Sequence, residues 1–124
     1  MTKLQSKEVY AAIAANIDLP VLPFINGQYQ KSAAGNKMAT INPATGETLT
    51  NVYACDSTDV DYAVKVARKA FDTGIWSQKH PAERKAVLLK LAQLIEDNQL
   101  DLAVLESLES GKPISECVLT DLPE

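Results

Sequence analysis

Few side chains in this sequence carry a thiol or an imidazole group, the groups that most often supply nucleophiles, general bases and zinc ligands. The 124 residues include two cysteines, Cys55 and Cys117, and one histidine, His80. The cysteines lie far apart, without a C-x-x-C pair or a neighbouring histidine, so neither a zinc site nor a disulfide framework is expected. We predict that both thiols fill a reduced interior as small apolar groups.

Neither Cys117 nor His80 has a neighbour in sequence that would activate it. Glu116 adjoins Cys117, and an adjacent carboxylate raises a thiol pKa, so packing is predicted over nucleophilic attack. His80 precedes Pro81 with no carboxylate directly beside it, and we predict an exposed or helix-capping residue rather than a general base. The residue types alone therefore predict no catalytic site.

The glycines exclude the common phosphate-binding loops. Their positions never match the G-x-G-x-x-G spacing of dinucleotide-binding turns. Gly111-Lys112 is not a P-loop, because Glu106 stands where the first glycine is required and Pro113 replaces the serine or threonine. The motifs therefore predict no cofactor-binding residue in this chain.

Composition and charge exclude further classes of function. Hydrophobic residues make up 46% and charged residues 23% of the chain, which predicts a packed core. The net charge of −4 argues against nucleic acid and acidic membrane surfaces as partners. No uncharged run approaches the ~18 residues that a membrane helix requires. We expect a cytoplasmic protein, because residues 9–15 are a poor signal core.

The first elements that would position these residues are a helix and two strand pairs. The apolar spacing predicts a helix over residues 3–17, followed by an extended linker up to Pro23. Asn26-Gly27 predicts a tight β-hairpin. The turn from Asn42 to Gly46 predicts a second strand pair, formed by residues 38–41 and 48–54.

Three to four helices are predicted after Cys55. Asp56, Ser57 or Thr58 would cap the first, which runs to about Thr73. The next helices cover residues 81–97 and 100–110, and a last one begins at Lys112-Pro113. The 81–97 helix is predicted to bury Val87, Leu88, Leu91, Leu94 and Ile95. The last three helices carry apolar residues on more than one side, which indicates contact with a layer larger than four short strands.

Several short motifs, in this order and spacing, resemble the amino-terminal part of the NAD(P)-dependent aldehyde dehydrogenase superfamily. The match leaves out only the first part of the chain. The motifs are Phe24-Ile25-Asn26-Gly27, Ile41-Asn42-Pro43-Ala44-Thr45-Gly46-Glu47, the helix from Asp59 to Phe71, Trp76, Glu83-Arg84 and Leu105-Glu106-Ser107-Leu108-Glu109-Ser110-Gly111-Lys112-Pro113.

The resemblance implies an α/β fold, or α+β for this part alone. Residues 1–19 would form an N-terminal helical extension, and residues 20–124 the truncated amino-terminal part of a discontinuous, Rossmann-like NAD(P)-binding domain. The family's catalytic cysteine, general-base glutamate and coenzyme loop would lie beyond Glu124. NAD or NADP would therefore bind downstream, and the 124-residue chain alone is expected to be inactive.

The resemblance also implies two sites on these residues. Many family members hold K⁺ or Na⁺ between main-chain carbonyls and an acidic residue, here Thr40, Ile41 and Glu109, although an aspartate is usual in place of Glu109. In relatives that act on amino-aldehydes, acids near the substrate channel correspond to Asp121 and Glu124. The alternatives are a helix end without an ion, and solvated acids at a frayed terminus.

The implied function is oxidation of a small-molecule aldehyde to its carboxylic acid by a homo-oligomeric enzyme, a dimer or tetramer. Residues 82–113 favour the amino-aldehyde and betaine-aldehyde branch, with substrates such as γ-glutamyl-γ-aminobutyraldehyde or betaine aldehyde. The alternative, from another class, is a non-catalytic interaction or assembly module that docks on full-length subunits.

Overall fold

Five α-helices, four short strands and a π-helical turn make up the regular structure of the computed structural model, which describes residues 3–122. The predicted mixed α/β order, a helix followed by two strand pairs and then helices, is confirmed. The elements are α1 (Lys7–Asn16), β1 (Phe24–Ile25), β2 (Gln28–Tyr29), β3 (Lys37–Ile41), β4 (Thr48–Tyr53), α2 (Ser57–Asp72), α3 (Pro81–Asp97), α4 (Gln99–Ser110), α5 (Ile114–Glu116) and the π turn (Cys117–Asp121).

The described residues fall into two units. The first unit takes the described residues of Met1–Leu19, Thr40–Leu49 and Lys90–Glu124. The second takes Pro20–Ala39 and Thr50–Leu89. The division of the chain into residues 1–19 and 20–124 stays a prediction.

The first strand pair is the hairpin that its turn residues predict. Strands β1 and β2 are antiparallel, with Phe24 opposite Tyr29. Asn26 and Gly27 have φ angles of 56° and 76°, the positive values that a type I′ turn requires. The rings of Phe24 and Tyr29 meet edge to face, with their centroids 5.0 Å apart. The turn residues and the cross-strand ring pair therefore favour the same register.

The second strand pair, β3 and β4, is closed by the predicted Asn-Pro turn. The Asn42 N–H donates to the Glu47 carbonyl at 2.9 Å, and the Gly46 N–H donates to the Asn42 carbonyl at 2.8 Å. The residues before β1 are not a free linker, because the Tyr53 N–H donates to the Val21 carbonyl at 3.0 Å. The end of β4 is thus bonded to the segment that leads into β1.

Helix α2 begins at a reciprocal cap built from two aspartates. The Asp56 carboxylate accepts from the Thr58 and Asp59 N–H groups, and Asp59 accepts from the Asp56 N–H. The buried Asp59 also accepts from the Ser32 hydroxyl at 2.5 Å and from the Ala33 N–H at 2.9 Å. These bonds, the Ser32 bond foremost, hold the pKa of Asp59 below its ordinary value, although partial desolvation opposes them. They fasten the segment before β3 to the start of α2.

The first unit has a small core between α1, α4 and the π turn. Ala103, Cys117 and Val118 are fully buried, with partly buried Tyr10, Ile114 and Leu122 against them. The predicted packing role of Cys117 is confirmed. The same prediction for Cys55 is wrong, because Cys55 lies in the loop between β4 and α2 and is exposed.

Helix α3 has no buried residue, which corrects the predicted burial of its apolar side chains. Their exposed fractions range from 37% at Ile95 to 57% at Leu88. The other side chains of this set, Val87, Leu91 and Leu94, are 51%, 53% and 46% exposed. The apolar pattern of α3 is real, but residues 3–122 cover its side chains only in part.

Several helix boundaries differ from the predicted ones. Helix α1 begins at Lys7 rather than at residue 3, because Ser6 is extended and takes the N-cap position. The predicted C-terminal helix is split into the short α5 and the π turn. Within residues 3–122, none of the helices has the length and apolar character needed to cross a lipid bilayer.

Candidate functional site

The Asn-Pro turn lies against the carboxyl end of α4, within the first unit. Gly111 ends α4 in the left-handed region with a φ of 74°, and its N–H donates to the Ser107 carbonyl at 3.0 Å. A Cβ atom added to Gly111 would lie 2.8 Å from the Cγ of Pro43. Glycine is therefore required both by the backbone angle and by this close approach.

The contact of Pro43 with Gly111 brings together the two elements that carry the predicted cation ligands. Thr40 and Ile41 are the last residues of β3, and Glu109 stands in the last turn of α4. Thr40 is half-buried, whereas Ile41 and Glu109 are exposed. Carbonyl and carboxylate oxygens are the ligand types that hard cations prefer. The donor chemistry fits such an ion.

A metal site can also be formed by side chains alone. Within residues 3–122, no group of three or more His, Cys, Asp and Glu residues is arranged to hold a metal ion. Cys55 and Cys117 are both free thiols. Occupation of the Thr40, Ile41 and Glu109 site therefore stays a prediction that depends on main-chain oxygens.

Lys112 connects the end of α4 to the π turn. Its ammonium group lies 2.6 Å from an oxygen of Asp121. Its carbonyl accepts from the Ser107 hydroxyl at 2.7 Å, and its N–H donates to the Ser110 hydroxyl at 3.2 Å. The hydrogen bond to Asp121 raises the pKa of Lys112, with smaller contributions from nearby negative charge. The lysine is therefore charged and held at three points.

The pairing with Lys112 bears directly on the predicted channel acids. Asp121 is accessible, with 29% of its side chain exposed, but its charge is compensated by Lys112. Glu124 lies outside the described residues. Sequence reasoning missed this ion pair, because its nine-residue separation matches no helical repeat that would have suggested it.

The other titratable side chains that the sequence singled out have structural roles. Burial, followed by the charges of Asp121 and Glu106, raises the pKa of the Cys117 thiol, which disfavours the thiolate. The Ala82 N–H donates to Nδ1 of His80 at 3.2 Å, and the His80 N–H donates to Glu83 at 3.1 Å. His80 is therefore the predicted cap, at the start of α3.

An open groove of about 870 Å³ runs between α1, α4 and the end of α3. Its lining combines apolar side chains with a few amides and carboxylates, and it contains no cysteine or histidine. The apolar part is formed by Val9, Ile13, Leu94, Ile95, Leu102 and Leu105. Exposed apolar surface of this kind marks a contact site, against which another polypeptide could pack.

Comparison with known proteins identifies the family. The model of the aldehyde dehydrogenase family matches residues 29–124, well over half of the chain. A curated aminoacetaldehyde dehydrogenase of Pseudomonas aeruginosa is 57% identical over 124 residues. The match covers 100% of this chain and 25% of that protein, so the chain spans about a quarter of its length.

Solved structures of similar sequence have the same fold as this chain. An indole-3-acetaldehyde dehydrogenase of P. syringae, in complex with NAD⁺, superposes with a TM-score of 0.93 at 39% identity. That match covers 97% of this chain and 24% of the other. A γ-glutamyl-γ-aminobutyraldehyde dehydrogenase of Burkholderia cenocepacia gives a TM-score of 0.91 at 35% identity, covering 94% and 24%. The predicted family and fold class are confirmed, and the chain belongs to the aldehyde dehydrogenase family.

Proposed function

We propose that this chain forms the amino-terminal part of an NAD(P)-dependent aldehyde dehydrogenase that oxidises an amino-aldehyde to its carboxylic acid. The observation that carries the proposal is the 57% identity, along the whole chain, to a protein named aminoacetaldehyde dehydrogenase. The likeness to a γ-glutamyl-γ-aminobutyraldehyde dehydrogenase supports the same class of substrate, in which betaine aldehyde also belongs. Cytoplasmic location and assembly as a dimer or tetramer belong to the same proposal.

The exposed side chains of α3 support a role within a larger polypeptide. Leu88, Leu91 and Leu94 are 57%, 53% and 46% exposed. A helix with apolar residues on several sides is stable in the interior of a protein, and exposed apolar surface of this kind marks a contact site. We therefore expect further polypeptide to cover α3 and to supply the catalytic and coenzyme-binding groups, and the 124-residue chain alone to be inactive.

The proposal includes a K⁺ or Na⁺ ion held by the carbonyls of Thr40 and Ile41 and the carboxylate of Glu109. The contact of Pro43 with Gly111 supports it, since it places the end of β3 beside the end of α4. The test is thermal unfolding in potassium, sodium and tetramethylammonium chloride at equal ionic strength. Glu109→Gln should abolish any difference between the salts, whereas Glu106→Gln, one helical turn earlier, serves as the control.

The proposal also places Asp121 and Glu124 in the substrate channel, where negative charge would attract a cationic aldehyde. Because Lys112 compensates Asp121, we expect Glu124 to supply more of this attraction. In the assembled enzyme, Glu124→Gln should raise KM for a cationic aldehyde and leave KM for an uncharged aldehyde of similar size unchanged.

A chimeric enzyme tests the function as a whole. This chain would replace the matching quarter of the Pseudomonas aeruginosa aminoacetaldehyde dehydrogenase, and NAD(P)H formation would be followed with aminoacetaldehyde and with an uncharged aldehyde. We expect a soluble chimera with kcat/KM within an order of magnitude of the parent and a preference for the amino-aldehyde. A folded chimera that binds NAD⁺ but oxidises neither aldehyde would contradict the assignment.

The second candidate is a non-catalytic assembly module, which the apolar groove between α1 and α4 favours. Light scattering and coenzyme titration of the 124-residue chain would distinguish the two. A monodisperse chain that unfolds cooperatively and binds full-length subunits supports the module. Self-association through exposed apolar surface supports the part of a larger enzyme.

A further inference from the structure

The segment after α4 contains an unusual wide turn. The Leu122 N–H donates to the Cys117 carbonyl at 3.2 Å, which is the i→i+5 bond of a π-helix. Such turns are rare and are frequently found where a protein has a functional constraint. Cys117, the first residue of the turn, is fully buried together with Val118. The π turn therefore contains the buried one of the two cysteines.

A single ion pair spans this segment. Lys112 precedes α5 in the chain, and Asp121 is the last residue of the π turn. The two groups are 2.6 Å apart, a short charge-assisted hydrogen bond. Because Ser107 and Ser110 bond the backbone of Lys112, the lysine is anchored to α4 before its side chain reaches Asp121. The pair thus ties the far end of the turn to α4.

We propose that Lys112 and Asp121 form a latch that holds the π turn closed and keeps Cys117 inaccessible. Opening of the ion pair would release the bond between Leu122 and Cys117 and let the turn unwind locally, while the rest of the first unit stays folded. The side chains of Lys112 and Asp121 are 45% and 29% exposed. An ion pair this accessible to solvent is weak, so it can open without unfolding of the first unit. The latch is a property of this segment and does not depend on the proposed activity.

The latch predicts how fast a small reagent reaches Cys117. The test uses the 124-residue chain with Cys55→Ser, so that Cys117 is the single thiol, and measures its alkylation by iodoacetamide under native conditions. Asp121→Asn and Lys112→Met should each raise the rate about twofold to fivefold, the range that corresponds to loss of a partly exposed ion pair. Beyond the effect of burial, the charge of Asp121 raises the pKa of the Cys117 thiol and that of Lys112 lowers it, so the two substitutions change thiolate reactivity in opposite directions, and acceleration in both variants reports access to the thiol. The double variant Lys112→Asp with Asp121→Lys should restore the slow rate.

Two controls separate the latch from general destabilisation. Lys79→Met removes an exposed ion pair with Glu83, 3.6 Å long and on another helix, and should leave the alkylation rate unchanged. Alkylation at a series of low urea concentrations distinguishes local opening, which exposes little surface and depends weakly on urea, from global unfolding, which depends on urea as steeply as the equilibrium transition does. Faster alkylation in both single variants with the weak urea dependence supports the latch. Unchanged alkylation in Lys112→Met, or a rate that follows the urea dependence of global unfolding, would overturn it.

Discussion

Truncation of Leu88 should reveal whether α3 is covered by further polypeptide. Full burial of a leucine side chain contributes about 1.5–3 kcal/mol, and Leu88 is 57% exposed, so less than half of this gain is available in the 124-residue chain. Alanine also favours the helix slightly. Leu88→Ala should therefore lower the free energy of unfolding of the isolated chain by less than about 1 kcal/mol.

The same substitution in the chimeric enzyme should cost about 2–5 kcal/mol, the range for leucine truncation in a packed core. Urea unfolding of both proteins, followed by circular dichroism, measures the two losses. An equal cost of Leu88→Ala in the isolated chain and in the chimera would contradict this expectation, because α3 would then already be covered within the chain. A loss below about 1 kcal/mol in both proteins would show that nothing covers it in either.

Four further substitutions test the packing, the backbone and the buried carboxylate. Val118→Ala removes a fully buried side chain and should cost about 2–3 kcal/mol in urea unfolding, even in the isolated chain. Gly111→Ala should lower the free energy of unfolding by about 1–2 kcal/mol through the left-handed backbone alone, and by more through the clash of its Cβ with Pro43. Adding Pro43→Ala to this variant should recover only the part of the loss that comes from the clash. The lowered pKa of Asp59 means that its stabilisation is present at neutral pH and is lost as the pH falls below about 4 and through the folded-state pKa. Asp59→Asn should therefore lower stability at neutral pH and flatten the loss in acid, as measured by urea unfolding at each pH.

Each of these outcomes has a clear opposite. Equal losses for Val118→Ala and Leu88→Ala in the isolated chain would contradict the burial difference between the two side chains. If Gly111→Ala were neutral, the close approach to Pro43 would not constrain the end of α4. An unchanged acid profile in Asp59→Asn would remove the case for a carboxylate stabilised by Ser32 and Ala33.

Features that depend on adjacent residues could be predicted from the sequence. Asn26-Gly27 predicts its hairpin because both residues tolerate positive φ angles. Asp56, Ser57 and Thr58 predict the start of α2 because their side-chain oxygens can accept the unpaired N–H groups of the first turn, and Asp56 takes the cap position. Gly111 predicts the end of α4 for the reason that glycine adopts the left-handed conformation without strain. All three depend on a few consecutive residues.

Features that depend on distant parts of the chain could not be predicted. The periodicity of α3 predicts which residues prefer burial, but burial itself requires a neighbouring layer, and Leu88 has none within residues 3–122. Cys55 is apolar enough for a core and yet lies in an exposed loop. Lys112 reaches Asp121 because residues 117–121 form a π turn rather than an α-helical one, and no sequence pattern in this segment predicts a π turn. Family resemblance, rather than residue chemistry, indicated the candidate cation ligands.

The carboxylate of Asp59 also bears on how the middle of the chain folds. Its bond to the Ser32 hydroxyl joins residues 27 positions apart, and the loop that it closes encloses β3 and β4. Closing a loop of this length requires chain entropy to be lost before the bond can form. We therefore expect the strand pair β3–β4 and the first turn of α2 to form in one cooperative step. Their amide protons should then exchange with solvent at a common rate.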